Sequence, residues 1–208
     1  EVGAAMVGGV SLLESDATLR MFEQRGLLAR EFHLFDARAG GTVLGEGAGM
    51  VVLKTVEQAR RDGDRIRVVV KACAVNNDGR TASPTAPSFA SQKLVMQSAL
   101  DRSGIAPGQV QYVEVNGSGS QVTDLLELKA IAAVYRSDSA GPCWLGSVKP
   151  NIGHPLCAEG IASVIKVALM LERGQVLPFL SAQEPMPYFD IASSAFRFCR
   201  ATTPWADP

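Results

Sequence analysis

Along this chain, short runs that alternate in polarity or stay apolar throughout are separated by stretches in which apolar positions recur at helical spacing. That succession predicts an α/β protein. Residues 41–53 are rich in glycine and end in Met50, Val51, Val52 and Leu53, the signature of a buried strand. Residues 55–61 read as a short helix stopped by Asp62, Gly63 and Asp64, and residues 66–75 as a second strand. Asn76, Asn77, Asp78 and Gly79 are turn formers, and the stretch through Pro84, Pro87 and Ser88 reads as a loop. Leu94, Val95, Ala99 and Leu100 share one face of a helix over 91–103 with Gly104 as its stop. Residues 110–115 alternate as a strand, and a glycine-bearing turn at 116–120 leads into an apolar helix over 125–135, introduced by Asp124 and Glu127. A short strand over 144–148, a loop over 149–159 and a helix over 160–172 follow. That last helix is apolar on nearly every side, which predicts an interior position. Prolines 178, 185 and 187 mark irregular chain, and residues 202–205 show no helix or strand of their own.

Composition narrows the possibilities. The 208 residues, 47% of them hydrophobic, supply the core of one ordinary domain. Twenty basic against 21 acidic side chains give a net charge of −1 with no Lys/Arg cluster, which argues against a nucleic-acid partner. The most apolar run, 161–171, is broken by Lys166 and too short to cross a bilayer, and the N-terminus lacks a basic leader region. No membrane association and a cytoplasmic location are expected. Cys73, Cys143, Cys157 and Cys199 form no CxxC pair and have no histidine at zinc-ligand spacing. They indicate a reducing compartment, no metal site and no disulfide framework. The sequence opens directly in an apolar stretch ending at Gly8 and Gly9, without Met or a cap, and so reads as a piece of a longer chain.

Two turns combine a preceding strand, a glycine-bearing loop and a following helix. One is Glu114-Val115-Asn116-Gly117-Ser118-Gly119-Ser120 and the other Lys149-Pro150-Asn151-Ile152-Gly153-His154. Loops at the carboxyl ends of strands are where α/β proteins place ligands, because glycine admits a substrate to the backbone and helix starts offer free N–H groups. His154 stands in the second loop between Gly153 and Pro155, where it is either a cleft-facing imidazole or a hydrogen-bonded structural group. His33, the other histidine, lies in a charged, turn-like segment and reads as exposed. Asp124 with Glu127 matches a capping box. Gly45-Glu46-Gly47-Ala48-Gly49 lacks the Lys-Ser/Thr of a phosphate loop and runs into a strand, so a tight turn is its expected role. Cys157 sits among Pro155, Leu156 and Ala158, apolar surroundings that raise a thiol pKa and leave it inert.

These stretches resemble the β-ketoacyl synthase (ketosynthase) family of fatty-acid and polyketide synthases, over essentially the whole chain. The resemblance rests on Val7-Gly8-Gly9-Val10, on Phe35-Asp36 followed by Gly45 to Gly49, on Ala74-Val75-Asn76-Asn77-Asp78-Gly79, and on the two loops. Typical members read E-A-H-G-T-G-T-x-x-G-D-x-x-E at the first loop and K-x-N-I-G-H at the second. The second motif is complete here, and in the first Asn116 replaces the histidine and Thr123 stands where glycine is usual. The resemblance implies a thiolase-like αβαβα sandwich, with residues 1–65 the end of its N-terminal half and 66–208 most of its C-terminal half. It also implies a homodimer in the parent protein. The partner would be an acyl carrier protein, its phosphopantetheine arm presenting the substrate with no cofactor bound directly.

The family's chemistry uses a cysteine that takes the acyl chain and two histidines that serve decarboxylation and condensation. The nucleophile's motif should lie upstream of Val7 and a closing glycine-rich strand downstream of Trp205, so this chain alone is expected to be inactive and to need the missing N-terminal half. By resemblance, His154 is the remaining catalytic imidazole, Asn116 stands in for the other, and Lys149 with Glu127 forms a buried orienting ion pair. Ser118 and Ser120 replace threonines that contact the pantetheine arm, and Asn151 completes the substrate-binding set. An enolate forming on a thioester oxygen needs donors, and an amide can donate but cannot titrate near neutral pH. The expected parent is therefore a non-elongating ketosynthase that passes acyl chains on. The alternatives are a malonyl-carrier-protein decarboxylase variant and a silent partner subunit resembling a chain-length factor.

Overall fold

The computed structural model describes residues 2–81, 86–135 and 141–205. The loop reading at Pro84 lies outside them. Strand β1 (Ala5–Ser11) and helix α1 (Asp16–Gln24) come first, then β2 (Gly47–Leu53), which pairs antiparallel with β1 from Ala5↔Leu53 to Ser11↔Gly47. Helix α1 lies in a stretch for which the sequence pattern predicts no element. Ser15 caps it by accepting from the Ala17 N–H.

Helix α2 (Val56–Arg61) starts on a Thr55 cap, and α3 (Phe89–Ser103) starts on Ser88 and stops at Gly104, whose φ is +69°. Only glycine takes that left-handed turn without steric cost, which makes the stop readable in the sequence. Then follow β3 (Tyr112–Glu114), α4 (Gln121–Val134), β4 (Cys143–Gly146), the single turn α5 (Lys149–Ile152), and α6 (Glu159–Arg173). Strands β5 (Gln175–Val176), β6 (Phe196–Phe198) and β7 (Thr203–Pro204) complete the order.

Strands β3, β4 and β6 form an all-parallel sheet in that order, with α4 crossing over between β3 and β4. Beneath it, Leu34, Phe35, Leu128, Ile131, Leu145 and Phe179 are fully or nearly fully buried in one core. Phe35 and Phe179 both stack on Phe198, with ring centroids 6.0 and 5.0 Å apart. Helix α6 lies on the antiparallel β1–β2 pair, where a Cβ on Gly49 would stand 3.0 Å from Ile165 and 3.1 Å from Ile161. Among the described residues no helix is long and apolar enough to cross a membrane.

Four expectations about local structure need correction. Residues 66–75 do not form a strand, because a β-ladder needs a backbone partner and no described strand lies beside them. The 202–205 stretch is not structureless, since Thr203–Pro204 pairs with Gln175–Val176 and Trp205 packs on Tyr112 at 5.6 Å. Helix α6 is not enclosed, with Val164 and Leu169 exposed on its outer side. Nor is β2 covered on both faces, since Met50 and Val52 are exposed.

Candidate active site

The two glycine loops leave adjacent parallel strands at the same edge, since Glu114 at the end of β3 is paired with Gly146 at the end of β4. Glu114 ties them further, its Oε1 accepting the Val148 N–H at 2.7 Å. A third segment, residues 40–45, runs against both. Gly41 donates its N–H to the Gly119 carbonyl at 2.9 Å, His154 donates to Val43 at 2.8 Å, and Gly45 donates back to His154 at 3.1 Å. No side chain fits at these contacts. A Cβ would lie 2.1 Å from the Gly41 oxygen at Gly119, whose φ is +76°, and 2.2 Å from the Ile152 oxygen at Gly45. The glycine run from Gly45 is thus a close approach leading into β2 instead of the expected tight turn.

This scaffold brings Asn116 and His154 to one place, joined by two charged groups. Lys149, only 2% exposed, donates from Nζ to Asn116 Oδ1 at 2.7 Å and to the Gly117 carbonyl at 3.2 Å. The same Nζ lies 3.1 Å from Glu159 Oε2, and that oxygen lies 3.2 Å from His154 Nε2. An ammonium has only donors, so it fixes the Asn116 amide with its oxygen inward and leaves the NH2 as the donating face. His154 Nδ1 accepts the Leu156 N–H at 3.2 Å, which puts the proton of the neutral ring on Nε2. Burial and then the Lys149 charge hold the His154 pKa below its ordinary value, opposed by Glu159. Burial likewise lowers Lys149 against the pull of Glu159.

The orienting ion pair is consequently Lys149 with Glu159, not with Glu127. Glu127 Oε1 accepts the Asn116 N–H at 2.6 Å and Oε2 the Gly117 N–H at 2.9 Å, so this carboxylate shapes the first loop. Burial pushes its pKa up to about 7, outweighing those two hydrogen bonds. Asp124 and Glu127 form no capping box, because α4 already begins at Gln121. Asp124, fully buried, instead accepts from the backbone N–H groups of Phe35 and Ser118, at 3.1 and 2.7 Å.

The remaining assigned positions divide. Ser118 Oγ donates to Asp124 Oδ1 at 2.9 Å and accepts the Ser120 N–H at 3.1 Å, so its proton is committed inside the loop. Ser120 precedes α4 without capping it, and Asn151 is exposed on the single turn α5. Cys157 is exposed and not enclosed by apolar groups, whereas His33 is half-buried and 3.2 Å from Glu31. Sequence reasoning missed Glu159, whose signal was an acid at the first position of a helix, five residues after His154.

A family model described as "Beta-ketoacyl synthase, C-terminal domain" matches residues 67–183, and one described as the N-terminal domain of the same family matches residues 1–59. The chain belongs to the β-ketoacyl synthase family. Among its relatives, polyketide synthase PksL of Bacillus subtilis is 60% identical over 100% of this chain and 5% of that protein. Polyketide synthase GfsA of Streptomyces halstedii is 39% identical over 100% of the chain and 3% of that protein. Two solved structures share the fold over 99% of the chain. The oxazolomycin ketosynthase domain OzmH KS8 of Streptomyces albus has a TM-score of 0.87 at 51% identity, and the chain covers 51% of it. The ketosynthase from module 6 of the bacillaene synthase of Bacillus subtilis has a TM-score of 0.94 at 35% identity, with 38% of it covered. The fold of this β-ketoacyl synthase segment is accordingly thiolase-like, and the chain spans about half or less of those ketosynthases.

Proposed function

We propose that this segment supplies the thioester-handling loops of a polyketide synthase ketosynthase that does not elongate, taking an acyl chain from one carrier and passing it to the next. The observation that carries the reading is the convergence of Asn116 and His154 on Lys149 and Glu159. The Asn116 NH2 and the His154 Nε2–H are the two donors for a thioester carbonyl, and Lys149, Glu159 and Glu127 position them. Acyl transfer polarises that carbonyl and is served by neutral donors. Condensation also needs decarboxylation to an enolate, where an amide is a poorer partner than an imidazole and cannot exchange a proton.

In this reading the partners are acyl carrier proteins presenting phosphopantetheine thioesters, and the complete domain is a homodimer. Residues outside this segment contribute the nucleophile. Residues 1–65 and 66–208 belong to the two halves of that domain.

The test is made in the complete ketosynthase containing this segment. Acyl transfer proceeds, carbon–carbon bond formation does not, and Asn116→His restores condensation by about 10²–10³-fold. Efficient condensation with Asn116 in place overturns the proposal. Release of CO2 from a malonyl thioester without condensation would favour the decarboxylase variant instead, and failure to handle any thioester would favour a silent subunit.

A further inference from the structure

Glu159 is not explained by donor geometry alone. Its carboxylate oxygen sits 3.1 Å from the buried Lys149 ammonium and 3.2 Å from the His154 imidazole, bridging the two. It does two things there. It offsets the charge of Lys149, the ammonium that would otherwise attract an anion, and it competes with the substrate oxygen for the Nε2–H of His154. Two further carboxyl groups stand behind the first loop, Glu127 and Asp124, both buried and turned onto backbone N–H groups. None of these can compensate a second negative charge entering the site.

We propose that Glu159 is a specificity-determining residue that disfavours carboxylate-bearing thioesters of the malonyl type relative to uncharged acyl thioesters. The inference rests on the acyl-transfer reading above and adds the substrate class. A malonyl carboxylate approaching Asn116 and His154 comes within a few ångströms of Glu159, where like charges repel. An acyl chain without that charge meets only dipoles.

The experiment compares binding of malonyl-pantetheine and butyryl-pantetheine thioesters to the complete ketosynthase, unsubstituted and carrying Glu159→Gln. The unsubstituted protein prefers the butyryl thioester, and Glu159→Gln shifts the ratio toward malonyl on the order of tenfold. Thermal melting reports folding of the variant separately. Where it does not fold, the unsubstituted protein carries the test. Raising ionic strength from about 0.1 M to about 1 M shortens the screening length from about 10 Å to about 3 Å and narrows the preference several-fold. A ratio that neither substitution nor salt moves, in a protein that binds both thioesters and transfers acyl groups, overturns this inference alone. Binding of neither thioester overturns the acyl-transfer reading and this inference with it.

Discussion

Replacing Glu127 with glutamine isolates the energetic effect of the buried carboxyl that shapes the first loop. Its pKa rises from the ordinary 4.5 to about 7 on folding, mainly through burial. A raised folded-state value means that folding favours the protonated form. The contribution is present in full below pH about 4.5 and is lost as pH rises through about 7. At 1.36 kcal/mol per pH unit the difference corresponds to about 3 kcal/mol. A carboxamide has nearly the shape of a protonated carboxyl but one acceptor fewer, so Glu127→Gln leaves the Asn116 or the Gly117 N–H unpaired and carries a pH-independent cost of about 1–3 kcal/mol. Between acid pH and pH 8 the stability gap between the two proteins should move by about 3 kcal/mol in favour of the variant. Urea denaturation of the complete ketosynthase at a series of pH values gives this double difference. Asp124, raised in the same direction by burial, leaves a residual slope of like sign in both proteins and cancels. A stability gap that does not change with pH, or that moves against the glutamine variant as pH rises, refutes the reasoning.

Three further outcomes are expected. NMR titration of His154 should show its midpoint moving up in Lys149→Met, which removes a repelling charge, and down in Glu159→Gln, which removes an attracting one; the reverse order contradicts the charge arrangement. Gly119→Ala forces a Cβ to within 2.1 Å of the Gly41 oxygen at a positive φ and should lower stability by about 2 kcal/mol or more with loss of acyl transfer, measured by thermal melting and turnover. Lys166 donates to Glu114 Oε2 at 2.8 Å and to the Tyr112 hydroxyl at 3.0 Å. Lys166→Met leaves that carboxylate without its cation and should cost about 3–5 kcal/mol in urea melts, with much of the loss recovered by adding Glu114→Gln.

What could be read in the sequence follows from which forces are local. Helix α3 was legible because its glycine stop and the inward positions Val95, Ala99 and Leu100 are neighbours in the chain, although Leu94 of the same expected face is exposed and Ser88, read as loop, is the cap; β4 was legible because Trp144 and Leu145 precede a glycine-bearing loop. Residues 66–75 have strand composition, yet pairing is a relation between distant segments and composition cannot supply the partner. The exposed faces of β2 and α6 were misjudged for the same reason, since an apolar run shows what a segment prefers and not what covers it. At the site, the motif comparison located Lys149, His154 and Glu127. The true partner of Lys149 escaped because ion pairing is decided by rotamer reach across a loop, and Glu159 lay outside both motifs. The segment 40–45 that aligns the loops contributes backbone alone, which leaves no trace beyond its glycines.

That backbone brace also bears on recombination. Residues 40–45 fall within the stretch matched by the N-terminal family model, while both loops they align fall within the C-terminal one. A chimera joined between residues 59 and 67 takes its brace from one parent and its loops from another. Its fitness for chemistry then turns on whether Gly41 still fits against Gly119, and Gly45 against Ile152. Breeding hybrid synthases therefore calls for a crossover N-terminal to residue 40, so that these four contact points are inherited together.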